Sequence, residues 1–478
     1  MRLATDVREA LNMIVMKFGG TSVEDAQAIR RLVTIVRGRI RQQPVVVSSA
    51  MSGVTDTLLQ ATVKASSGND PATSKLLQHL EARHIATAHD LVRNYHQTEI
   101  TISGLFDELR PLLTAVCRQR RVSPQLSDRV ASFGERLSTV LVSAALEESG
   151  IASTLLDARE CIVTDDHFTR ATPLMNASKD RLRARLIPLL HSKRVPVLGG
   201  FIAATVGGQT TTLGRGGSDF TAALVGGALD AKRVEIWTDV DGIRTTDPRL
   251  YPQARHIESI SFHEAAELAR LGAKVLHPST LLPVMDKNIP VYVLNSRNPL
   301  HPGTCVRAES HGIAGVKAIA VKHGVTLVEA RTDRFFRPSV LARDMLSIME
   351  ANGCVPDIVS ISSASITVSV DNKGVVGCLR AELAERVKLK AENSKALVSL
   401  VADDVRRVVG LPARVCSSLG GIEVWIASPG ASHRSFSFVV SEKDVPDVVR
   451  RLHESLLQDN PSLPKVRTEE KFDSGLIA

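Results

Sequence analysis

The sequence predicts an α/β protein, with a mostly parallel sheet covered by helices on both faces and two small α+β modules after it. Three observations carry that prediction. Short apolar runs of strand length alternate with amphipathic stretches from Met13 to Thr238, the pattern of parallel strands joined by helices. The runs end in clusters of glycine and hydroxyl residues, at the positions where parallel sheets collect ligands. Beyond the turn-rich segment Asn298–Gly303 the pattern changes to short strands and helices in two similar blocks.

Taken in order, Met13–Phe18 is a buried strand ended by Gly19 and Gly20, and Ser22 with Asp25 starts an amphipathic helix to Arg37. Pro44–Ser49 is the second strand. Helical stretches follow at Ser74–Asn94 and Arg129–Ser149, then a third strand at Ala152–Leu156. Val195–Phe201 and Arg233–Thr238 are further strands, with the helix Phe220–Leu229 between them. The first C-terminal block reads as strands Ala318–Val321 and Val325–Ala330, helix Val340–Asn352, and strands Asp357–Ser362 and Ser365–Val370. Helix Val376–Val387 and strand Leu397–Ala402 follow, then a helix to Leu419, strands Glu423–Ala427 and Ser435–Val440, and helix Val445–Leu457. Asn460–Ala478 reads as a loose tail.

A chain of 478 residues exceeds one domain, and 44% hydrophobic with 23% charged residues is ordinary for a globular protein. No apolar run reaches the ~20 residues that span a bilayer. Met1–Asn12 holds Asp6 and Glu9 and lacks a signal core, so no membrane association and a cytoplasmic location are expected. The six cysteines are scattered without metal or disulfide spacing. The net charge of +8 comes from interspersed signs with two Trp and three Tyr as stacking platforms, which argues against nucleic acid and suits small anions.

Thr210–Asp219 combines hydroxyls, three glycines, Arg215 and Asp219. Glycines bring backbone N–H groups close to an anion, Arg215 is a fork for carboxylate or phosphate, and Asp219 adds a charge foreign to a purely anion-binding loop. A plain surface turn is the competing interpretation. Lys17–Ser22 sets a mobile cation beside two glycines at a helix start, although no Walker A loop is present. The hydroxyls of Ser48–Thr55 fit a polar substrate or a helix cap equally well. Glu135 sits near a helix start, where a lone Glu is ordinarily a capping partner. Thr238–Arg249 offers Asp239 for a ribose and Arg249 for phosphate, and Gly272–Pro278 offers Lys274.

Six segments, Lys17–Ser22, Ser49–Thr55, Gly134–Ser138, Thr210–Asp219, Trp237–Arg249 and Gly272–Pro278, resemble the signature segments of aspartate kinases in order and spacing. Cys161–Pro173 is similar to the monofunctional, lysine-inhibited subgroup. The resemblance implies an αβα sandwich amino-acid kinase domain with a mostly parallel central sheet over residues 13–306. Tandem α+β ACT regulatory domains would follow over 313–392 and 393–462, able to intertwine, with a tail at 463–478. It implies ATP-dependent phosphorylation of the β-carboxylate of L-aspartate, with Mg²⁺ carried on the ATP phosphates and no protein-built metal site. Lys17 and Asp219 would form the catalytic pair. Ser49, Thr55, Glu135, Arg215, Gly216 and Gly217 would hold aspartate, with Glu135 on its amino group and Arg215 on its carboxylate. Lys17, Gly19, Gly20, Ser218, Thr238, Asp239, Arg244, Arg249 and Lys274 would hold the nucleotide. An amino-acid effector, lysine before threonine, would be sensed near Ser339 and Asp357, in a homodimer or homotetramer. Two departures stand out: Arg244 replaces a residue often aromatic or aliphatic, and Asn352–Asp357 is one residue longer than in the lysine-inhibited subgroup. Two alternatives remain open at this level, a related kinase of another carboxylate and a catalytically silent amino-acid sensor.

Overall fold

Five consecutive buried residues, Ile14–Phe18, form a strand near the middle of an eight-stranded sheet. The structure is a computed structural model that describes residues 13–272, 281–309, 315–331, 338–371, 373–383 and 386–457. The chain divides into two units, one of Met1–Ile243, Glu258–Phe262 and Val275–Ser310, the other of Arg244–Ile257, His263–Lys274 and His311–Ala478.

In the first unit the strand order is Ser153–Leu156, Val195–Gly199, Pro44–Ser48, Ile14–Phe18, Arg233–Thr238, Val291–Asn295, Thr304–Arg307 and Ser259–Ser261. Every neighbouring pair is parallel except Val291–Asn295 with Thr304–Arg307. Alternation along the central strand sorts its side chains. Ile14, Met16 and Phe18 join the core beneath helices Ala26–Arg39 and Phe133–Glu148. Val15 and Lys17 point to the opposite face, which is covered by helix Gly217–Leu229. That helix is apolar nearly all round and buried over most of its length, as a helix closing a sheet must be. A second sheet of Val163–Thr164, Ile202–Thr205 and Thr210–Thr212 leads into its N-terminus.

Several elements differ from expectation. Asp25 is itself the N-cap of Ala26–Arg39, accepting from the Ala28 N–H at 2.8 Å, so no capping box with Ser22 forms. Residues 129–149 break at Ser132 into Pro124–Ala131 and Phe133–Glu148. Helices Val54–Ser66 and His96–Gln119 were not anticipated. The buried residues Ile102, Phe106, Leu109, Leu113 and Val116 of the latter recur every three or four positions, so its signal was present in spite of Pro111.

The second unit is built on a six-stranded antiparallel sheet, in the order Val359–Ile361, Ser365–Val370, Val316–Arg331, Lys388–Ala402, Ser435–Ser441 and Ile426–Ser432. The two strands expected between 318 and 330 are one continuous strand, Val316–Arg331, which absorbs His323 and Gly324 through register shifts. Its pairing with Lys388–Ala402 joins the two sequence blocks into one sheet. Helices Pro338–Ala351 and Lys373–Leu383 cover one core, and Leu411–Leu419 with Val445–Leu456 the other.

Candidate active site

Lys17 lies on the helix-covered face of its strand, one residue from the strand end, with its side chain 11% exposed. Helix Gly217–Leu229 carries Asp219 in its first turn, and the two side chains meet at 2.6 Å. A lysine placed on this inward face needs such a partner, because an isolated buried ammonium is expensive. Around the pair opens a cleft of about 550 Å³. Its walls are the strand ends and the loops after them, including Gly19, Gly20, Ser49, Thr55, Glu135, Gly216, Gly217, Ser218, Thr238 and Asp239. Residues that the sequence places in five separate segments therefore line one cavity.

Glu135 is the most perturbed group in it. Helix Phe133–Glu148 buries this side chain in its first turn, and one carboxylate oxygen accepts from the Ala50 N–H at 3.1 Å. The other oxygen has no hydrogen-bond partner among the described residues. Burial pushes the carboxyl up to about 8, against the pull of the Ala50 N–H and the Lys17 charge. Gly134 makes the approach possible: a Cβ there would stand 2.8 Å from Ala50 Cβ and 3.3 Å from Thr55 Oγ1. The Ser138 hydroxyl donates to the Ser49 carbonyl at 2.7 Å, so one helix grips both sides of the Ser49–Ala50 peptide.

The turn before Asp219 holds Gly214 and Gly216 at φ +72° each. Gly200 must also be bare, since a Cβ on it would lie 2.6 Å from Ser218 Cβ. Arg215 is exposed on that turn and is not among the cleft-lining residues. On the far wall the Thr238 hydroxyl meets Asp239 at 3.2 Å, and the Thr238 carbonyl accepts from Ser296. Three expected nucleotide contacts belong to the second unit by sequence division. There Arg249 pairs with Asp247 at 2.6 Å and Arg244 donates to the Ala254 carbonyl at 3.1 Å. Lys274 lies outside the described residues. Ser339 is exposed, and Asp357 pairs with Lys322 at 2.7 Å and Arg270 at 3.2 Å.

Two residues escaped the sequence reading. Asp128, 2% exposed, accepts hydrogen bonds from Thr169 and Thr212. Arg83 donates to the carbonyls of Ser52 and Glu24, each at 2.9 Å, bracing the two loops that carry the Lys17 side of the cleft. Both act through partners far away in the chain, which no local motif announces. Among the described residues no cluster of three or more His, Cys, Asp or Glu suits a metal ion. A second cleft of about 680 Å³ lies elsewhere in the first unit, where Asp157–Arg159 and Glu160–Arg185 are already paired.

Residues 12–295 match the amino acid kinase family, and residues 398–456 match an ACT domain. The chain is 34% identical to the lysine-sensitive aspartokinase 3 of Escherichia coli, covering 93% of this chain and 99% of that protein. It is 28% identical to the aspartokinase of Schizosaccharomyces pombe, over 93% of each. The solved E. coli aspartokinase III in complex with aspartate and ADP, an R-state, superposes with a TM-score of 0.81 at 33% identity, over 93% of this chain and 99% of that one. Its T-state complex with lysine and aspartate superposes at 0.80, with 33% identity over 94% and 100%.

Proposed function

The chain belongs to the amino acid kinase family and is an aspartokinase, and from that premise we propose how its cleft phosphorylates the β-carboxylate of L-aspartate with ATP to give 4-phospho-L-aspartate. This is the first step of lysine, threonine and methionine biosynthesis. The observation that carries the proposal is the Lys17–Asp219 pair at 2.6 Å on the wall of a 550 Å³ cleft that Glu135 also lines. Glu135 is a buried carboxylate with one oxygen unspent. An amino acid's ammonium is the charge that would satisfy it.

A carboxylate nucleophile is ionised at neutral pH and needs no general base. Catalysis is then positioning plus stabilisation of the charge spreading over the transferring phosphoryl group. In this assignment Lys17 neutralises that charge, and Asp219 holds the Lys17 ammonium in place. Glu135 receives the substrate ammonium, Arg215 reaches over the rim to a substrate carboxylate, and Ser49, Thr55, Gly216 and Gly217 shape the pocket. Gly19, Gly20, Ser218, Thr238 and Asp239 offer backbone and side-chain contacts to the nucleotide. Mg²⁺ would be held chiefly by the ATP phosphates and water, because this small, hard cation dehydrates reluctantly and favours phosphate oxygens. Bound there, it supplies charge neutralisation of the polyphosphate.

Residues 13–306 are assigned as the catalytic domain and residues 313–392 and 393–462 as the two regulatory modules. The tail, 463–478, lies outside the described residues. An amino-acid effector is inferred, lysine first because the E. coli relative is lysine-sensitive. Of the two candidates, Asp357 is already neutralised by Lys322 and Arg270, so an effector ammonium must compete with them. Assembly as a homodimer or homotetramer is supported by the sheet edge Val359–Ile361, exposed along its length. No described helix is long and apolar enough to cross a membrane, and six free thiols support a cytoplasmic location.

The decisive experiment traps the acyl phosphate as its hydroxamate from L-aspartate and Mg-ATP, with and without added lysine or threonine. Wild type should turn over, and Lys17→Met should lose roughly a thousandfold in kcat while remaining folded. Amino-acid binding without turnover in wild type would favour a silent sensor instead.

A further inference from the structure

We infer that Asp128 is a positioning residue for the substrate site: by clamping the base of the Gly214–Gly217 turn it sets where Arg215 stands. The inference rests on the assignment of Arg215 to a substrate carboxylate.

Asp128 sits on helix Pro124–Ala131 and is withdrawn from water. One carboxylate oxygen accepts from the Thr169 N–H at 2.7 Å and the Thr212 N–H at 3.0 Å, and the other from the Thr212 hydroxyl at 2.6 Å. All three donors are neutral, so the charge is fixed by geometry and not by a cation. Thr169 itself has φ +72°, a conformation that β-branched residues rarely adopt and that surrounding contacts must impose. Its N–H bond to Asp128 is one such contact. The Thr169 carbonyl then lies 3.4 Å from where a Cβ on Gly214 would stand. Thr212 is the last residue of its strand, and from Leu213 the chain enters the turn. Asp128 thus fixes both the strand that feeds the turn and the segment packed against its first glycine. Arg215, exposed at the tip, inherits its position from that base.

The test is steady-state kinetics of the full chain, with circular dichroism as a check on folding. Asp128→Ala should raise KM for L-aspartate roughly tenfold to a hundredfold, the scale of a misplaced binding group, and leave KM for ATP nearly unchanged. Asp128→Asn should recover most of the loss, because its amide oxygen accepts both N–H groups and its NH₂ donates to the Thr212 hydroxyl. The double variant of Asp128→Ala with Arg215→Ala should be no worse than Arg215→Ala alone, the non-additivity of one residue acting through another. If Asp128→Ala does not fold, Thr212→Val removes one of the three bonds and serves in the same cycle. An unchanged KM for aspartate, or penalties that add in full, would overturn the inference. An Arg215→Ala enzyme with normal KM would sink the Arg215 assignment and the inference with it, a result distinct from the other two.

Discussion

At the scale of single residues, Glu135 shows how folding prepares a site at a cost to the fold. Burial holds its carboxyl up to about 8, well above the ordinary glutamate value. In the free protein near pH 7 the group is therefore mostly protonated. A substrate ammonium favours the ionised form, so binding must expel that proton. Aspartate affinity should rise by up to about tenfold per pH unit between pH 6 and 8 and level off above, where Glu135 is already ionised. Calorimetry in buffers of different ionisation enthalpy should detect close to one proton released at pH 7. The same shift has an opposite consequence for stability. A carboxyl whose folded pKa is raised contributes stability that is complete below the unfolded value and lost as pH climbs through about 8. Glu135→Gln should accordingly melt higher than wild type at pH 8.5, bind aspartate weakly and show no proton release. A variant that merely unfolded would lower the melting temperature instead.

At the scale of elements, helix Phe133–Glu148 is the part that organises the substrate side. It delivers Glu135 and Ser138 to one peptide of the neighbouring loop, and Gly134 lets the two approach. Gly134→Ala would push the helix off that loop by the 2.8 Å contact with Ala50. The expected result is a rise in KM for aspartate of roughly tenfold or more and a stability loss of about 1–3 kcal/mol, read by kinetics and chemical denaturation. An unaltered KM would show that the contact relaxes freely. Much of this architecture was legible in the chain. Alternating apolar runs marked the central strands, and glycine and hydroxyl clusters marked the strand ends that line the cleft. Lys17 and Asp219 were paired by resemblance and not by spacing, since 202 residues separate them in the sequence. Asp128 was invisible because its partners lie 41 and 84 residues away. The helix His96–Gln119 was legible in its period but masked by Pro111. The single strand Val316–Arg331 was read as two because His323 and Gly324 look like a turn, whereas the strand carries them as a bulge against its partner.

At the scale of the whole chain, each unit has among its described residues a buried histidine that catalysis does not use, and each carries one of the two tryptophans. His84 in the first unit gives its Nδ1 to the Leu80 carbonyl at 2.6 Å and packs edge-on against Phe106. His453 in the second shares a hydrogen bond with the Thr245 hydroxyl at 2.8 Å and lies against Tyr251. The remaining ring nitrogen of each is buried without a partner among the described residues. Burial holds both imidazoles neutral, pulled down to about 4 from an ordinary 6.5. A histidine depressed in the folded state contributes stability that is complete above pH 6.5 and lost as pH falls through about 4. For His84 the amount at stake is about 3 kcal/mol, a large part of a domain's margin. Acid should therefore loosen each unit over that interval. Trp237, buried in the central strands of the first unit, and Trp425, beside Lys395 in the second, report the two separately. In a Trp425→Phe background, fluorescence followed from pH 7 to 4 should show an acid transition of the first unit, and His84→Gln should move it to lower pH. In a Trp237→Phe background, His453→Gln should do the same for the second unit. Midpoints that stay in place after these substitutions would mean that acid acts through other groups, with the buried carboxyls of Asp128 and Glu135 excluded as the source, because burial already favours their protonated form.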